Sequence, residues 1–162
     1  MPAPSPFPSV SPTRVAIAGF GAWGQMHAQA IRAIEGADVV AVLARSEVAR
    51  SAARCVVPQA VVVDELDQLL RLDGVDVVNV CLPNHLHASA AVRALEAGKH
   101  VFLEKPMGLD LAECDAVAEA ARRAARQVAV NYELRVSRQW GMVHERIAQG
   151  DLGAVTYQHL SL

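Results

Sequence analysis

Lysine is nearly absent from this 162-residue chain. Lys99 and Lys105 are the only two, and arginine supplies the other basic residues. A lysine inside a motif is therefore hard to ascribe to composition. Cysteine is scarce as well. Cys55, Cys81 and Cys114 are odd in number, widely spaced and set among apolar residues, which argues against a disulfide framework and fits a reducing cytosol. Charge of either sign is not in excess. A formal net charge of -2 gives no electrostatic reason to expect nucleic acid or an anionic membrane as partner. No apolar run approaches the length that spans a bilayer. Residues Met1 to Pro12 lack both a basic stretch and a continuous apolar stretch. Rich in Pro and Ser, they read as a disordered tail and not as a targeting peptide.

What is present is core material. The chain is 52% hydrophobic and its length suits about one domain. A domain near this size buries roughly 70% of the surface its unfolded chain exposes. From Thr13 onward, β-branched runs alternate with Ala/Leu-rich helical runs. Strands are expected over Arg14–Ala18, Val39–Leu43, Ala60–Val63, Val75–Cys81, His100–Leu103 and Val128–Val130. Helices are expected over Ala22–Ile34 and Glu47–Cys55, from a cap at Asp64 through Leu72, and over Asn84–Ala97. A capping box of Asp110 and Glu113 opens another that runs to Ala125, and Ser137–Gln149 is closed by Gly150. Strands this apolar belong inside a parallel sheet covered on both faces. Repeated strand–helix alternation then gives an α/β fold with a doubly wound sheet and right-handed crossovers.

Two segments sharpen that picture. Gly19-Phe20-Gly21-Ala22-Trp23-Gly24 lies between the first strand and the first helix. In a Rossmann unit the first glycine makes the tight turn, the second lets backbone approach a pyrophosphate, and the third brings helix and strand close. The helix N-terminus offers free N–H groups and partial positive charge to the phosphates. An NAD site carries a carboxylate at the end of the second strand, but this chain reads Leu43-Ala44-Arg45-Ser46 there. Asp38 is at the wrong end of that strand, and Glu47 comes one turn too late. Arg45 can pair with a 2′-phosphate and Ser46 can donate to it, so NADP is favoured, with NAD as the alternative. The plainer reading is that both residues only start the next helix.

Ligands in such sheets sit beyond the carboxyl ends of the strands. Cys81-Leu82-Pro83-Asn84-His85-Leu86-His87 and Leu103-Glu104-Lys105-Pro106 are two of those ends. Lys105 can donate to a substrate oxygen beside the carbon that gives up hydride, and desolvation would ease its proton exchange. His85 and His87 with Cys81 do not form a metal site by this reading, because a His-x-His pair at a helix start does not share a face. Asn84 and His87 suit cap and cleft roles, and His27 suits packing or capping. Trp140 and Met142 lie on a late amphipathic helix, as core or interdomain contacts.

Three stretches together carry a resemblance. They are Gly19 to His27, Pro83-Asn84-His85-Leu86-His87-Ala88, and Ala97-Gly98-Lys99-His100-Val101-Phe102-Leu103-Glu104-Lys105-Pro106. With Asn131-Tyr132-Glu133-Leu134-Arg135 and Gly150-Asp151-Leu152-Gly153, the chain resembles the Gfo/Idh/MocA oxidoreductases from about Thr13 to Leu162. The resemblance implies that Lys105 is the catalytic lysine and that Glu104 contacts the nicotinamide ribose. It also implies that Pro83, Asn84 and His87 line the nicotinamide side, that Arg135 sits at the cleft, and that hydride moves to or from a sugar, polyol or diol carbon. Such proteins continue into a second α/β domain with an open antiparallel sheet.

The expected organisation is therefore a tail over 1–12, a Rossmann domain over 13–134, and over 135–162 a linking helix with the first strand of that second domain. This strand, Ala154 to Leu162, mixes polar and apolar residues, and without a neighbour it is expected to be loosely packed or poorly ordered, or to pair with another copy of the chain. Two functions fit: an oxidoreductase represented by its cofactor domain, or a non-catalytic dinucleotide-binding module such as a sensor subunit.

Overall fold

The computed structural model describes residues 11–157. Residues 1–10 of the expected tail and residues 158–162 of the expected last strand lie outside the described residues. Six strands, β1 (Thr13–Ala18), β2 (Ala37–Leu43), β3 (Val61–Val63), β4 (Val77–Val80), β5 (His100–Glu104) and β6 (Val128–Asn131), form one sheet in the order β3-β2-β1-β4-β5-β6. Every pairing is parallel. The order runs outward in both directions from β1 and β4, so the strand order reverses between their carboxyl ends, where ligand crevices form in open α/β sheets. Helices α1 (Ala22–Arg32), α2 (Glu47–Val56), α3 (Leu66–Leu70), α4 (His87–Glu96) and α5 (Leu111–Ala124) make the crossovers.

The strands are apolar on both faces because both are covered. Ala16 and Ala18 of β1 pack into one core cluster with Leu69, Ala91, Leu95 and Val117. Ile17, between them, packs on the opposite face with Ala28, Val42 and Ala53. The period-two alternation thus divides one apolar run between two cores. Asn79 breaks the pattern. It sits in β4 among valines, pairs in register with Ile17 and Phe102, and is 1% exposed.

Several element ends differ from the sequence expectation. The third helix has only five residues, and its N-cap is Glu65, not Asp64. The Asp64 N–H is instead engaged by Gln68 Oε1 at 3.4 Å, and the chain turns away at Gly74 with φ +79°. The helix expected from Asn84 opens as a 3-10 turn over Asn84–Leu86 and becomes α-helical only at His87. At α5 the Asp110 side chain accepts from the Glu113 N–H as expected, but Glu113 Oε2 accepts from the N–H of Leu109, one residue before the cap.

The chain divides into two units at Asn131/Tyr132. The second holds a 3-10 turn over Glu133–Arg135 and α6 (Arg138–Ala148). None of its described residues is buried. Trp140 is half-buried and Met142 is 56% exposed, so neither is a core residue here. Residues 154–157 carry no strand. Among the described residues, no helix is long and apolar enough to cross a membrane.

Candidate functional site

The glycine turn leaves the end of β1 and enters α1 with three different demands on its glycines. Gly19 has φ +100°, a conformation glycine adopts without strain, and a Cβ on it would lie 2.5 Å from the Cys81 carbonyl oxygen. A Cβ on Gly24 would run into the Gly19 carbonyl and would also touch Ile17 Cγ2 at 3.6 Å. Gly24 therefore sets how closely α1 lies on β1. Gly21 is different: a Cβ there would meet nothing within 4 Å, and the residue is exposed. Its bare Cα opens space beside the N-terminus of α1, which has no side-chain cap and no acidic residue in its first turn. Phe20 is buried and anchors the turn, whereas Ala22 and Trp23 are exposed. Uncapped N–H groups and helix-dipole charge at an open backbone surface suit a diphosphate.

Beside this turn lies a cavity of about 220 Å³, lined in part by Trp23, Asn84, His87, Glu104 and Lys105. The structure thus brings the glycine turn together with the ends of β4 and β5. Lys105 Nζ lies 5.7 Å from the Trp23 ring centroid, within cation–π range, and the Lys105–Pro106 peptide bond is cis. Pro83 precedes the 3-10 turn and is exposed with Asn84. His87 is 1% exposed. Its Nδ1 is 2.7 Å from the Pro106 carbonyl oxygen and its Nε2 is 2.7 Å from that of Leu82. This ring ties the two loops of the cavity together. Both of its nitrogens are committed to backbone, and among the described residues no group of three or more His, Cys, Asp or Glu could hold a metal.

Beside the cavity runs a line of buried and half-buried polar groups. His27 Nε2 meets Glu104 Oε1 at 2.9 Å, and Asn131 Nδ2 donates to the same oxygen at 2.7 Å. The Lys105 N–H donates to Glu104 Oε2 at 3.2 Å. His27 Nδ1 lies 2.9 Å from Asn79 Nδ2, the Cys81 thiol donates to Asn79 Oδ1 at 3.5 Å, and the His27 ring leans on Phe102. Burial, with the Glu104 carboxylate nearby, pushes the Cys81 thiol up to about 12. His27 is thus more than the packing or capping residue expected from sequence, and the sequence reading assigned no role to Asn79 or to the Asn131 side chain. One signal was available: Asn79 is a polar residue inside a strand of valines.

Arg45 and Ser46 lie apart from this cavity, at the end of β2, and both are exposed. Ser46 Oγ caps α2 by accepting from the Ala49 N–H at 3.1 Å, the plainer of its two expected roles. Arg45 lines a second cavity with Asp64, Glu65, Ser89 and Arg93. Arg135 belongs to the second unit, where it lines a groove with Trp140 and His144.

The model of an oxidoreductase family with an NAD-binding Rossmann fold, the Gfo/Idh/MocA group, matches residues 13–132. A 4-carboxy-2-hydroxymuconate-6-semialdehyde dehydrogenase of a Sphingobium species is 30% identical over 141 residues, 86% of this chain and 44% of its own length. A myo-inositol 2-dehydrogenase of Thermotoga maritima is 27% identical over 86% of this chain and 42% of its own length. A crystal structure of scyllo-inositol dehydrogenase from Lactobacillus casei, with bound NAD(H) and scyllo-inositol, superposes with a TM-score of 0.83 at 25% identity. That match covers 90% of this chain and 44% of the other. The chain spans less than half the length of each of these relatives.

Proposed function

The chain belongs to the Gfo/Idh/MocA oxidoreductase family with its NAD-binding Rossmann fold, and on that premise we propose that it is the cofactor-binding part of a dehydrogenase. The dinucleotide would be NADP in preference to NAD, and the substrate a sugar, polyol or diol. The observation that carries the reading is the open space at Gly21, beside an uncapped helix N-terminus and next to a cavity holding Lys105. The residues fit a dinucleotide whose diphosphate rests on the backbone of the Gly19–Gly24 turn. Glu104 would accept from a ribose hydroxyl, and Pro83, Asn84 and His87 would form the wall of the nicotinamide side. When bound, the nicotinamide supplies the hydride acceptor or donor.

The chain's own groups handle the rest. Lys105, exposed at the rim and steadied over Trp23, would donate to the substrate oxygen and exchange its proton as the carbon changes oxidation state. Residues 135–162, with Arg135, would begin the substrate domain. Lys105→Ala is expected to abolish turnover in any form that turns over, while dinucleotide affinity moves by less than about threefold.

The preference for NADP rests on Arg45 standing at the end of β2 where an NAD site carries a carboxylate. Asp64 and Glu65 line the same cavity and favour NAD. Calorimetric titration with NADPH and NADH, on the wild-type chain and Arg45→Asp, separates the two. Tighter NADPH binding that moves toward NADH in the variant supports NADP. A preference untouched by the variant overturns it.

A further inference from the structure

Glu104 is held by hydrogen bonds that all run toward its carboxylate. A carboxylate only accepts, so the nitrogen of His27 that faces it, Nε2, carries a proton. On its other side the ring faces Asn79, with Nδ1 2.9 Å from Nδ2 and 3.2 Å from Oδ1, and 3.6 Å from the Cys81 sulfur. With Nδ1 as the accepting nitrogen, the nearer Nδ2 donates to it and Oδ1 is left to the Cys81 thiol at 3.5 Å. At Glu104, Oε1 receives both His27 and Asn131, whereas among the described residues Oε2 receives only the longer bond from the Lys105 N–H. Oε2 is thus the oxygen with lone pairs to spare at the cavity. The side chains of His27 and Glu104 are 11% and 7% exposed, so water competes little for these bonds.

We infer that His27 and Asn79 are positioning residues that saturate one oxygen of Glu104 and thereby present the other to the ribose hydroxyls on the nicotinamide side of a dinucleotide. The inference rests on the dinucleotide reading above. His27 lies three residues beyond Gly24 on α1, so the helix that begins at the diphosphate turn also carries the group that sets the ribose contact. Both halves of the ligand would be registered against one rigid element.

The test compares two fragments of the cofactor. ADP-ribose carries the second ribose and ADP does not; both lack the 2′-phosphate. His27→Ala and Asn79→Leu are each expected to weaken ADP-ribose about tenfold, the scale of one hydrogen bond to a charged group, while ADP changes less than about twofold. Asn79→Leu is close in size, and its side chain can neither donate to nor accept from Nδ1. His27→Gln keeps a donor for Glu104 and an acceptor for Asn79, and is expected to hold ADP-ribose within about threefold of wild type. Equal losses of ADP and ADP-ribose would mean that His27 only supports the turn, and would overturn the inference. So would unchanged ADP-ribose binding in both His27→Ala and Asn79→Leu. A folded wild-type chain that binds neither fragment nor NADPH removes the dinucleotide reading and this inference with it; binding without discrimination removes this inference alone.

Discussion

The two ends of the crevice are built on opposite plans. At the Lys105 end, buried and half-buried side chains from α1, β4, β5 and β6 interlock, and Glu104 receives three donors. At the Arg45 end, the side chains are exposed and Ser46 already serves its own helix. Geometry at the first end is fixed before a ligand arrives, which suits the proposed function, in which hydride would move over a short and definite path. The second end can recognise charge but holds little in advance. Chemistry is thus expected to depend on buried neighbours, and cofactor choice on a few surface residues.

The largest effect expected from a single change is at the floor common to both ends. A side chain at Gly24 meets the Gly19 backbone, which cannot yield as a side chain would. Gly24→Val should lower stability by about 3 kcal/mol or more, read from denaturant midpoints, and an unchanged midpoint would refute the close α1–β1 contact. Next is reactivity at the interlocked end. A thiol raised from 9.0 to about 12 has about a thousandfold less thiolate at pH 8 than an unshifted one. Iodoacetamide at that pH should label exposed Cys55 and spare Cys81, with labelling of Cys81 rising as pH approaches 12. Equal labelling would mean that the cluster is open to water.

At the exposed end, Arg45→Asp should move the NADPH-to-NADH affinity ratio about tenfold or more toward NADH, with little change in stability. The smallest effect lies outside both ends. Ala125 closes α5 with φ 51°, a left-handed conformation that glycine adopts without strain. Ala125→Gly should stabilise the protein by about 1 kcal/mol and leave binding unchanged; a loss of stability would contradict that cap.

Much of this was legible in the chain. The six apolar runs became the six strands, because central parallel strands have no polar face to blur the pattern. The glycine turn and Glu104-Lys105-Pro106 were legible because backbone approach and a rare lysine each leave a local mark. The polar cluster around Glu104 was not. His27, Asn79 and Asn131 come from three elements, and only the register of β4, β5 and β6 brings the last two beside β5. Local pattern also overstated the third helix, which starts after a cap at Glu65 and ends at Leu70. The last expected strand failed over residues 154–157 for a related reason. Alternating polar and apolar residues describe half of a ladder, and no partner strand lies among the described residues there.

Gly21→Ala decides whether the open backbone at the turn is a diphosphate cradle. The added methyl meets no protein atom within 4 Å, so stability should fall by less than about 1 kcal/mol. Calorimetric titration of both proteins with NADPH should show saturable binding by wild type and at least about tenfold weaker binding by the variant. A folded wild-type chain that takes up no nicotinamide nucleotide at millimolar concentrations, or a variant that binds as tightly as wild type, would contradict the cradle.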